Sequence, residues 1–503
     1  MKTNRLIKFV VALVFLAGCT TPEKPESLTQ YVDPTIGNVS VLLQPTRPTT
    51  QLPNQVIRMY PVRADFIDDQ IRFFPFTIAS HRNGELFGML PATGNPDKGT
   101  WKQRQTYDHQ LEVTRPFFYS TYLIDDEITT EFAPGKKSAI FRFTFSEKGE
   151  KRLRFNLVNT GKWEPVSATS FTGVEEFQGM KAFVYAEFDA EPKILIEENG
   201  TPEQPVGKPV LWADFSENKN PVVQLKYAVS FISTEQAEKN LKNEIEGWEL
   251  EKLAENGKAA WEETLGKIQV KGGTDAQKRS FYTALYRCYE RMVDITEDGK
   301  YYSAYDHQVH ETDRPFYVDD WVWDTYLAHH PLRLIIDTKK ENDMLNSYVK
   351  MYEQSGWMPQ FPLLFMDNLA MHGFHSTVVF LDAYRKNLRD YDLAKAYEGV
   401  KKNATDATML PWRNGPKTAL DVFYREKGFF PALAPDEKES YPEVHGFEKR
   451  QSVAITLAHS YDDWALGQLA KELGKEEDYK YFNQQAANRS EEHTSELQSR
   501  FGI

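Results

Sequence analysis

Aromatic and acidic side chains suited to sugar chemistry lie together in the segment Trp321–Asp324. Asp324 directly follows Trp323, at a point where the pattern predicts that a loop becomes a helix. A carboxylate in the first turn of a helix can orient sugar hydroxyls, and an indole ring can stack on the face of a pyranose. The same residue types also occur where an acid stabilises a helix N-terminus beside core tryptophans. The segment is a candidate sugar site with a structural alternative.

Two more candidates come from histidine and tryptophan. His372 and His375 are three residues apart and share one face if the segment is helical. Such a pair can ligate a transition metal, whereas calcium prefers oxygen ligands. His375 is either a residue that orients a sugar hydroxyl or a hydrogen-bonded core histidine. Trp357, before Met358, is either a sugar platform or a hydrophobic plug.

Other carboxylates are candidates for acid–base chemistry, in which one acid donates a proton and a second carboxylate acts as the base. Asp319 and Asp320 are adjacent, and adjacent acids usually form a solvated face or cap a helix. Asp462 and Asp463 lie inside a predicted helix, where a structural salt bridge is expected for at least one of them. Glu448 precedes that helix, and the sequence does not separate an acid facing a cleft from a capping acid.

Composition narrows the class of protein. The chain has 503 residues, with 60 Lys and Arg against 73 Asp and Glu, so its net charge is −13. An acidic surface argues against a nucleic-acid partner, because affinity for a phosphate backbone comes from cationic side chains. The sequence contains no P-loop, no CxxC pair, no HExxH and no GxSxG. Nucleotide, zinc-protease and α/β-hydrolase chemistry therefore have no support.

The hydrophobic pattern changes once along the chain. Short runs of period-2 alternation, broken by Gly, Pro and Asn, predict an antiparallel β-sandwich over residues 31–234. A charged segment, 235–272, predicts a helical connector. Residues 273–488 then show period-3.6 patterns with loops rich in Trp, Pro and Asp, which indicate an incomplete (α/α)6 barrel. The predicted helices include 323–336, 369–387 and 452–473. Four polar residues of the sandwich are candidates for a lid over the barrel mouth: Arg47, Arg58, Arg63 and His81.

The N-terminus indicates export. Residues 1–18 have a basic start and a short apolar run, as a signal peptide does, and they end at Cys19 after small residues. This pattern predicts a lipoprotein anchored through Cys19, with residues 19–30 as a tether, in the periplasm or at the outer-membrane surface of a bacterium. An ordinary cleaved signal peptide is the alternative. Cys288 is the only other cysteine, so no intramolecular disulfide is expected.

The order of several short motifs resembles glycoside hydrolase family 92, the exo-acting α-mannosidases. The matching segments are Tyr31–Gly37, Trp323–Thr325, Gly356–Pro359, Met371–Ser376 with Asp382–Tyr384, and Ser460–Trp464. The resemblance implies a β-sandwich packed on an (α/α)6 barrel, calcium dependence, inversion at the anomeric carbon and mannose-containing glycans as substrates. It also favours a role for Asp324 in binding the terminal mannose rather than in transferring a proton.

The resemblance leaves the proton chemistry unassigned. The family's acid and base lie in segments resembling EGNAWQY and GNDDCG, and neither occurs here. Residues 489–503 resemble a translated sequencing adapter, so we expect a truncated chain without turnover, whose calcium ligands lie in the part that is lacking. Two alternatives remain open: a non-catalytic glycan-binding surface lipoprotein, and another toroid-type hydrolase acting on a different sugar.

Overall fold

The structure is a computed structural model that describes residues 26–40, 45–65, 67–80, 83–93, 104–146, 149–197, 208–367, 371, 373–413 and 415–488. The predictions for the signal peptide, Cys19, His81, His372 and residues 489–503 lie outside these residues. Within these ranges, no helix has the length and apolar character needed to cross a membrane.

The first half of the chain is built from antiparallel strands. Their bounds are β1 (Thr50–Gln51), β2 (Arg58–Met59), β3 (Gln70–Ile71), β4 (Phe74–Ser80), β5 (Asn83–Ala92), β6 (Gln105–Thr106), β7 (Val113–Arg115), β8 (Phe118–Leu123), β9 (Ile128–Pro134), β10 (Ser138–Thr144), β11 (Arg152–Asn156), β12 (Thr160–Pro165), β13 (Ser170–Phe177), β14 (Met180–Phe188), β15 (Lys193–Glu197), β16 (Val210–Asp214) and β17 (Val222–Ser230). The two large sheets have the orders β12-β13-β14-β17-β10-β9-β8-β7 and β15-β16-β11-β5-β4.

Aromatic rings join the two large sheets. Phe76 of β4 stacks on Tyr227 of β17 with ring centroids 4.0 Å apart, and Phe155 of β11 lies 4.8 Å from Phe171 of β13. The Tyr227 hydroxyl donates to the Phe76 carbonyl oxygen over 2.8 Å, so its polar atom is satisfied inside the core. Two antiparallel sheets with a shared aromatic core form a β-sandwich, which confirms the predicted class of this part of the fold.

Two helices follow the last strand of the sandwich and lie on its eight-stranded sheet. They are α1 (Thr234–Glu244) and α2 (Leu250–Leu265). Ser233 begins the first of them, because its side chain accepts a hydrogen bond from Gln236 N–H. Trp261 is buried, and its indole N–H donates to the Gln51 carbonyl oxygen over 2.8 Å. This bond fixes the connector to the sandwich.

The rest of the chain is mainly helical. Its elements are α3 (Asp275–Arg287), β18 (Val293–Asp294), β19 (Lys300–Ser303), β20 (Gln308–Glu311), β21 (Tyr317–Val318), α4 (Val322–Thr325), α5 (His329–Ile336), α6 (Thr338–Ser355), α7 (Ser376–Arg385), α8 (Leu393–Asp406), α9 (Ala419–Lys427), α10 (Ser452–Glu472) and α11 (Glu476–Ala486). A β-sandwich followed by helices is the predicted two-part fold.

Helices α5 to α8, α10 and α11 form one packed array. Helix α7 packs against α5 and α10, while α6 packs against α5 and α8, and α11 packs against α10. The segment before α5 and the loop between α6 and α7 meet at one end of this array, where His375 stacks on Tyr326 and Phe361 packs against Trp321. Closure of the array into an (α/α)6 barrel is still a prediction.

That end of the array faces the sandwich. Phe365, in the loop between α6 and α7, contacts Phe177 of β13 with ring centroids 4.8 Å apart. One buried apolar cluster includes residues of the sheets and of the helices. The sandwich therefore packs against the loops that carry the candidate site residues.

Candidate functional site

The segment from Asp319 to Tyr326 is a tight loop followed by one helical turn. Asp319 has a φ of 68°, which turns the chain sharply after β21. The N–H groups of Asp324 and Thr325 then donate to the Trp321 carbonyl oxygen over 2.8 and 3.0 Å. Asp324 is exposed in the first turn of α4. The partial positive charge of the helix N-terminus stabilises a carboxylate at this position.

The two tryptophans of this segment have different surroundings. Trp321 is buried, with the Arg291 guanidinium 4.3 Å from its ring centre and the Phe361 ring centroid 5.1 Å away. Trp323 is half-buried against the core. The Trp323 indole nitrogen is buried and has no hydrogen-bond partner among the described residues. Trp321 is thus a packing residue, while Trp323 is partly exposed beside Asp324.

His375 joins this segment through Tyr326. Its ring stacks on the Tyr326 ring at 4.1 Å, and Tyr326 lies two residues after Asp324. The His375 Nδ1 is 2.7 Å from Asp462 Oδ1, and the other oxygen of Asp462 accepts the Phe374 N–H over 2.7 Å. Because a carboxylate oxygen accepts, Nδ1 carries the proton of this contact, and Nε2 is the ring nitrogen that Asp462 does not engage.

Gly373 makes room for this ring. Its φ is 85°, and a Cβ at this position would lie 2.7 Å from His375 Nε2 and 3.0 Å from Asp462 Oδ2. The space beside Nε2 therefore exists because residue 373 has no side chain.

Gly373→Ala is expected to lower the free energy of unfolding by about 1–3 kcal/mol and to displace His375. Gly272→Ala is the matched control, since Gly272 also has a positive φ, 78°, but its Cβ would meet no atom within 4 Å. Urea denaturation of both variants, with the His375 side-chain NMR signals, separates strain of the backbone from the clash. Equal losses of stability with an unshifted His375 signal would contradict this account.

Trp357 is not brought together with the other three candidates by any direct contact. It is half-buried just after α6, and the Lys402 ammonium of α8 lies 4.5 Å from its ring centre. Trp357 lies at the same end of the helical array as the other candidates, because the loop that follows it places Phe361 against Trp321. Whether it is a platform or a plug stays open.

The structure corrects the expected positions of Asp319 and Arg58. Asp319 is fully buried rather than solvated, and its carboxylate forms a salt bridge with Arg58 and accepts a hydrogen bond from Ser80. Arg58 is also buried, and it donates to the carbonyl oxygens of Ile78 and Ala79. Arg58 is therefore a tether between the sandwich and the site loop, not part of a mobile lid. Arg63 pairs with Glu112 inside the sandwich instead.

Asp320 is buried as well, which contradicts a solvated position. Its carboxylate accepts hydrogen bonds from Thr325 Oγ1 over 2.9 Å, from His330 Nε2 over 2.8 Å and from the Tyr348 hydroxyl. Burial by itself would raise the pKa of Asp320, but the charges of His330 and Arg333 hold it well below its usual range. Asp320 is thus ionised and fixes the fold of the turn that follows it.

Three more acids have local structural roles. Asp463 forms the salt bridge expected for one acid of its pair, with Arg425 at 2.6 Å, and burial raises its pKa to about 6. Burial likewise raises the pKa of Asp367 to about 6, and this carboxylate accepts the N–H groups of Gln360 and Phe361. Glu448 accepts a hydrogen bond from Gln451 in its own loop.

The described residues do not fit a calcium ion. They include no group of three or more His, Cys, Asp or Glu side chains that could hold a metal. The buried carboxylates nearest to the site loop, Asp319 and Asp320, are taken up by Arg58 and His330.

Sequence reasoning missed Tyr326 and the partnership of Asp462 with His375. Tyr326 directly follows Thr325 in a motif that was recognised, so its position was a usable signal. The contact between Asp462 and His375 joins residues 87 positions apart, which no local pattern reveals.

Two family models match the chain. The glycosyl hydrolase family 92 N-terminal domain matches residues 31–230, and the glycosyl hydrolase family 92 catalytic domain matches residues 236–496. A curated fungal relative, an uncharacterized secreted glycosidase of Arthroderma benhamiae, is 28% identical over 265 residues, which are 52% of this chain and 29% of the relative.

Solved structures share the fold. A family GH92 α-mannosidase from Bacteroides thetaiotaomicron has a TM-score of 0.78 at 24% identity, over 92% of this chain and 65% of that one. A family GH92 inverting mannosidase from Bacteroides thetaiotaomicron VPI-5482 has a TM-score of 0.81 at 23% identity, over 93% of this chain and 65% of that one. The chain thus spans just under two thirds of the length of these proteins.

Proposed function

The chain belongs to glycosyl hydrolase family 92, and on that premise we propose that it carries a mannose-binding part of an exo-acting, inverting α-mannosidase that releases terminal mannose from glycans. The observation that supports this proposal is the contact through Tyr326, which brings the Trp323–Asp324 segment to His375. An exposed carboxylate, a partly exposed indole ring and an imidazole are groups that can bind a pyranose with several hydroxyls.

Each side chain has a separate role in this proposal. Asp324 accepts hydrogen bonds from two adjacent sugar hydroxyls, which only a carboxylate can do with both of its oxygens. His375, held by Asp462, accepts one further hydroxyl at Nε2. Trp323 supplies an apolar face to the ring. These groups bind and orient the sugar, and we assign the general acid and base to none of them.

The solved relatives support the choice of sugar. One α-mannosidase of Bacteroides thetaiotaomicron was solved with mannoimidazole, at 23% identity to this chain. We propose mannose-containing glycans as the ligands of this chain on the same family grounds. We also propose that the protein is exported and anchored to the bacterial envelope by lipidation of Cys19. The fungal relative is described as secreted, which supports export alone.

Asp324→Ala is expected to weaken mannose binding by roughly 10- to 100-fold, because a charged hydrogen-bond acceptor contributes about 1.5–3 kcal/mol. His375→Ala is expected to act in the same direction. Asp275→Ala is the matched control, since Asp275 is another exposed acid in the first turn of a helix. Calorimetric titration of the full chain with mannose and mannoimidazole measures the affinities. Unchanged affinity in Asp324→Ala would refute the assignment of the site.

Hydrolysis is a separate measurement on the same preparations. Release of the aryl group from an aryl α-mannoside, with added calcium and with a chelator, tests turnover and the calcium dependence that the family resemblance implies. Binding of mannose without any release would favour the alternative of a glycan-binding lipoprotein for this chain. Turnover abolished by Asp324→Ala while mannose affinity is unchanged would show that Asp324 carries proton chemistry, contrary to the role proposed here.

A further inference from the structure

A buried ionic network lies directly beneath the site loop. His330 of α5 has its Nε2 2.8 Å from Asp320 Oδ2 and its Nδ1 2.7 Å from Glu341 Oε1. All three side chains are buried. Arg333, also buried, approaches the second oxygen of Glu341 at 3.4 Å. The network therefore joins the site loop to helices α5 and α6.

The geometry fixes the protonation state of His330. A neutral imidazole has one N–H and one acceptor nitrogen, so it can satisfy only one of two ionised carboxylates. Both nitrogens of His330 face a carboxylate oxygen, so two ionised carboxylates are satisfied only when both nitrogens carry a proton. The network then holds two negative charges, on Asp320 and Glu341, and two positive charges, on His330 and Arg333. Without the His330 proton, one buried carboxylate has no counter-charge.

The surroundings of His330 agree with this assignment. Burial opposes its charge, but Glu341 and Asp320 outweigh burial and raise the pKa of His330 to about 9. His329 next to it stays neutral, since burial and Arg333 lower its pKa well below the usual range. The charged and titratable groups around His330 are Asp320 from the loop, His329 and Arg333 from its own helix, and Glu341 and Tyr348 from α6.

We propose that protonated His330 is a positioning residue that holds the loop carrying Trp323 and Asp324 in its binding geometry. Asp320 is the link, because its N–H donates to the Pro362 carbonyl oxygen and its carboxylate accepts from Thr325 at the end of α4. Loss of the His330 proton frees Asp320 from its counter-charge and loosens the turn in which Asp324 stands. The expected effect on sugar affinity rests on the proposed function, whereas the expected effect on the loop does not.

The sign of the pH dependence follows from linkage. A histidine whose pKa is raised in the folded loop stabilises that loop fully below its ordinary pKa of about 6.5, and the stabilisation disappears as pH rises to about 9. We expect the population of the open loop to rise between about pH 7 and about pH 9, because His330 releases its proton over this range while Asp320 stays ionised. Acid conditions down to about pH 6 are expected to leave the loop closed.

The test uses NMR of the full chain and needs no sugar. In protein labelled with ¹⁵N-histidine, both nitrogens of His330 should be protonated near pH 7 and one should lose its proton near pH 9. In protein labelled with 5-fluorotryptophan, the Trp321 and Trp323 signals should shift with the same midpoint, while the signals of Trp163 and Trp212 in the sandwich should not. A singly protonated His330 at pH 7, or unmoved Trp321 and Trp323 signals, would overturn the proposal.

Two variants distinguish a loss of charge balance in the network from a general loss of structure. His330→Gln leaves a net negative charge in the network, so its Trp321 and Trp323 signals at pH 7 should resemble those of the open loop. The double variant H330Q/E341Q removes one charge of each sign and should return both signals toward the wild-type positions, without a pH response. His310→Gln, at a half-exposed pair with Asp306, is the control and should change neither signal. No recovery in the double variant would refute charge balance as the cause.

Sugar binding supplies a last readout. If mannose binds as proposed, its affinity should fall in parallel with the Trp323 shift in wild-type protein and should be independent of pH over this range in H330Q/E341Q. Affinity that stays constant while the loop signals shift would overturn the positioning role. If mannose does not bind at any pH, the proposed function fails, and the NMR titration still decides the state of His330 and the loop.

Discussion

Arg58→Ala is expected to lower the free energy of unfolding by about 3–5 kcal/mol, because it leaves the fully buried Asp319 carboxylate without its counter-charge. The loss should extend to the site. Arg58 lies on β2 of the sandwich and Asp319 begins the loop that carries Asp324, so the variant should also weaken mannose binding. Urea denaturation and calorimetric titration measure the two effects on the same protein.

Arg63→Ala is the matched control for Arg58→Ala. Arg63 also forms a buried salt bridge, with Glu112 at 3.0 Å, but both residues belong to the sandwich. Arg63→Ala should therefore lower the free energy of unfolding by an amount comparable to that of Arg58→Ala. It should not change the Trp323 signal or the affinity for mannose. If both variants affect the site equally, the loss is general destabilisation, and the tether between the sandwich and the loop has no specific role.

The class of the fold could be predicted because it depends on local periodicity. Period-2 alternation over residues 31–234 predicted strands of the kind that the structure shows, such as β10, and the helical pattern from Ser452 predicted α10 almost to its last residue. Both elements bury a face that the sequence itself displays. The family resemblance, carried by short motifs in a fixed order, is confirmed by the two family models.

Local signals that were given too little weight explain several errors. One helix was expected from Trp323 to Ile336, but the chain forms α4 and α5 with a break between them. Pro331 lies in the first turn of α5, where its missing N–H costs nothing, whereas it would disrupt a continuous helix. A helix was likewise expected from Leu369 to Asn387, but α7 begins at Ser376, after Gly373 with its positive φ. Helix α9 and the short strands β18 to β21 were not predicted.

The electrostatics of the site could not be predicted from local pattern. Asp319 and Asp320 were expected to form a solvated face or to cap a helix, and both are instead buried in ion pairs. The reason is a partner far away in the chain: Arg58 is 261 residues from Asp319. Local propensity does not encode such pairs, because they form only when the sandwich and the helices pack together. The charged groups that position the loop are thus the part of the site that requires the three-dimensional structure.

Asp462→Asn is expected to weaken mannose binding, whereas Asp463→Asn, at the adjacent residue, is expected to lower only the stability of the protein. Asp462 accepts from His375 Nδ1 and from the Phe374 N–H, whereas Asp463 pairs with Arg425. In Asp462→Asn one oxygen becomes an amide N–H₂ group, which cannot accept both hydrogen bonds, so His375 or residue 374 must move. Mannose affinity should fall by roughly 10-fold or more, as for loss of a hydrogen bond to a charged group.

Asp463→Asn should have the opposite profile. It leaves the Arg425 guanidinium without its carboxylate partner, so stability should fall by about 3–5 kcal/mol while mannose affinity is unchanged. The His375 side-chain NMR signals provide the direct comparison, because they should shift in Asp462→Asn and stay in place in Asp463→Asn. Equal affinity in both variants, with a shifted His375 signal in the first, would show that His375 does not contact the sugar, and the binding site would then have to be reassigned to Trp323 and Asp324 alone.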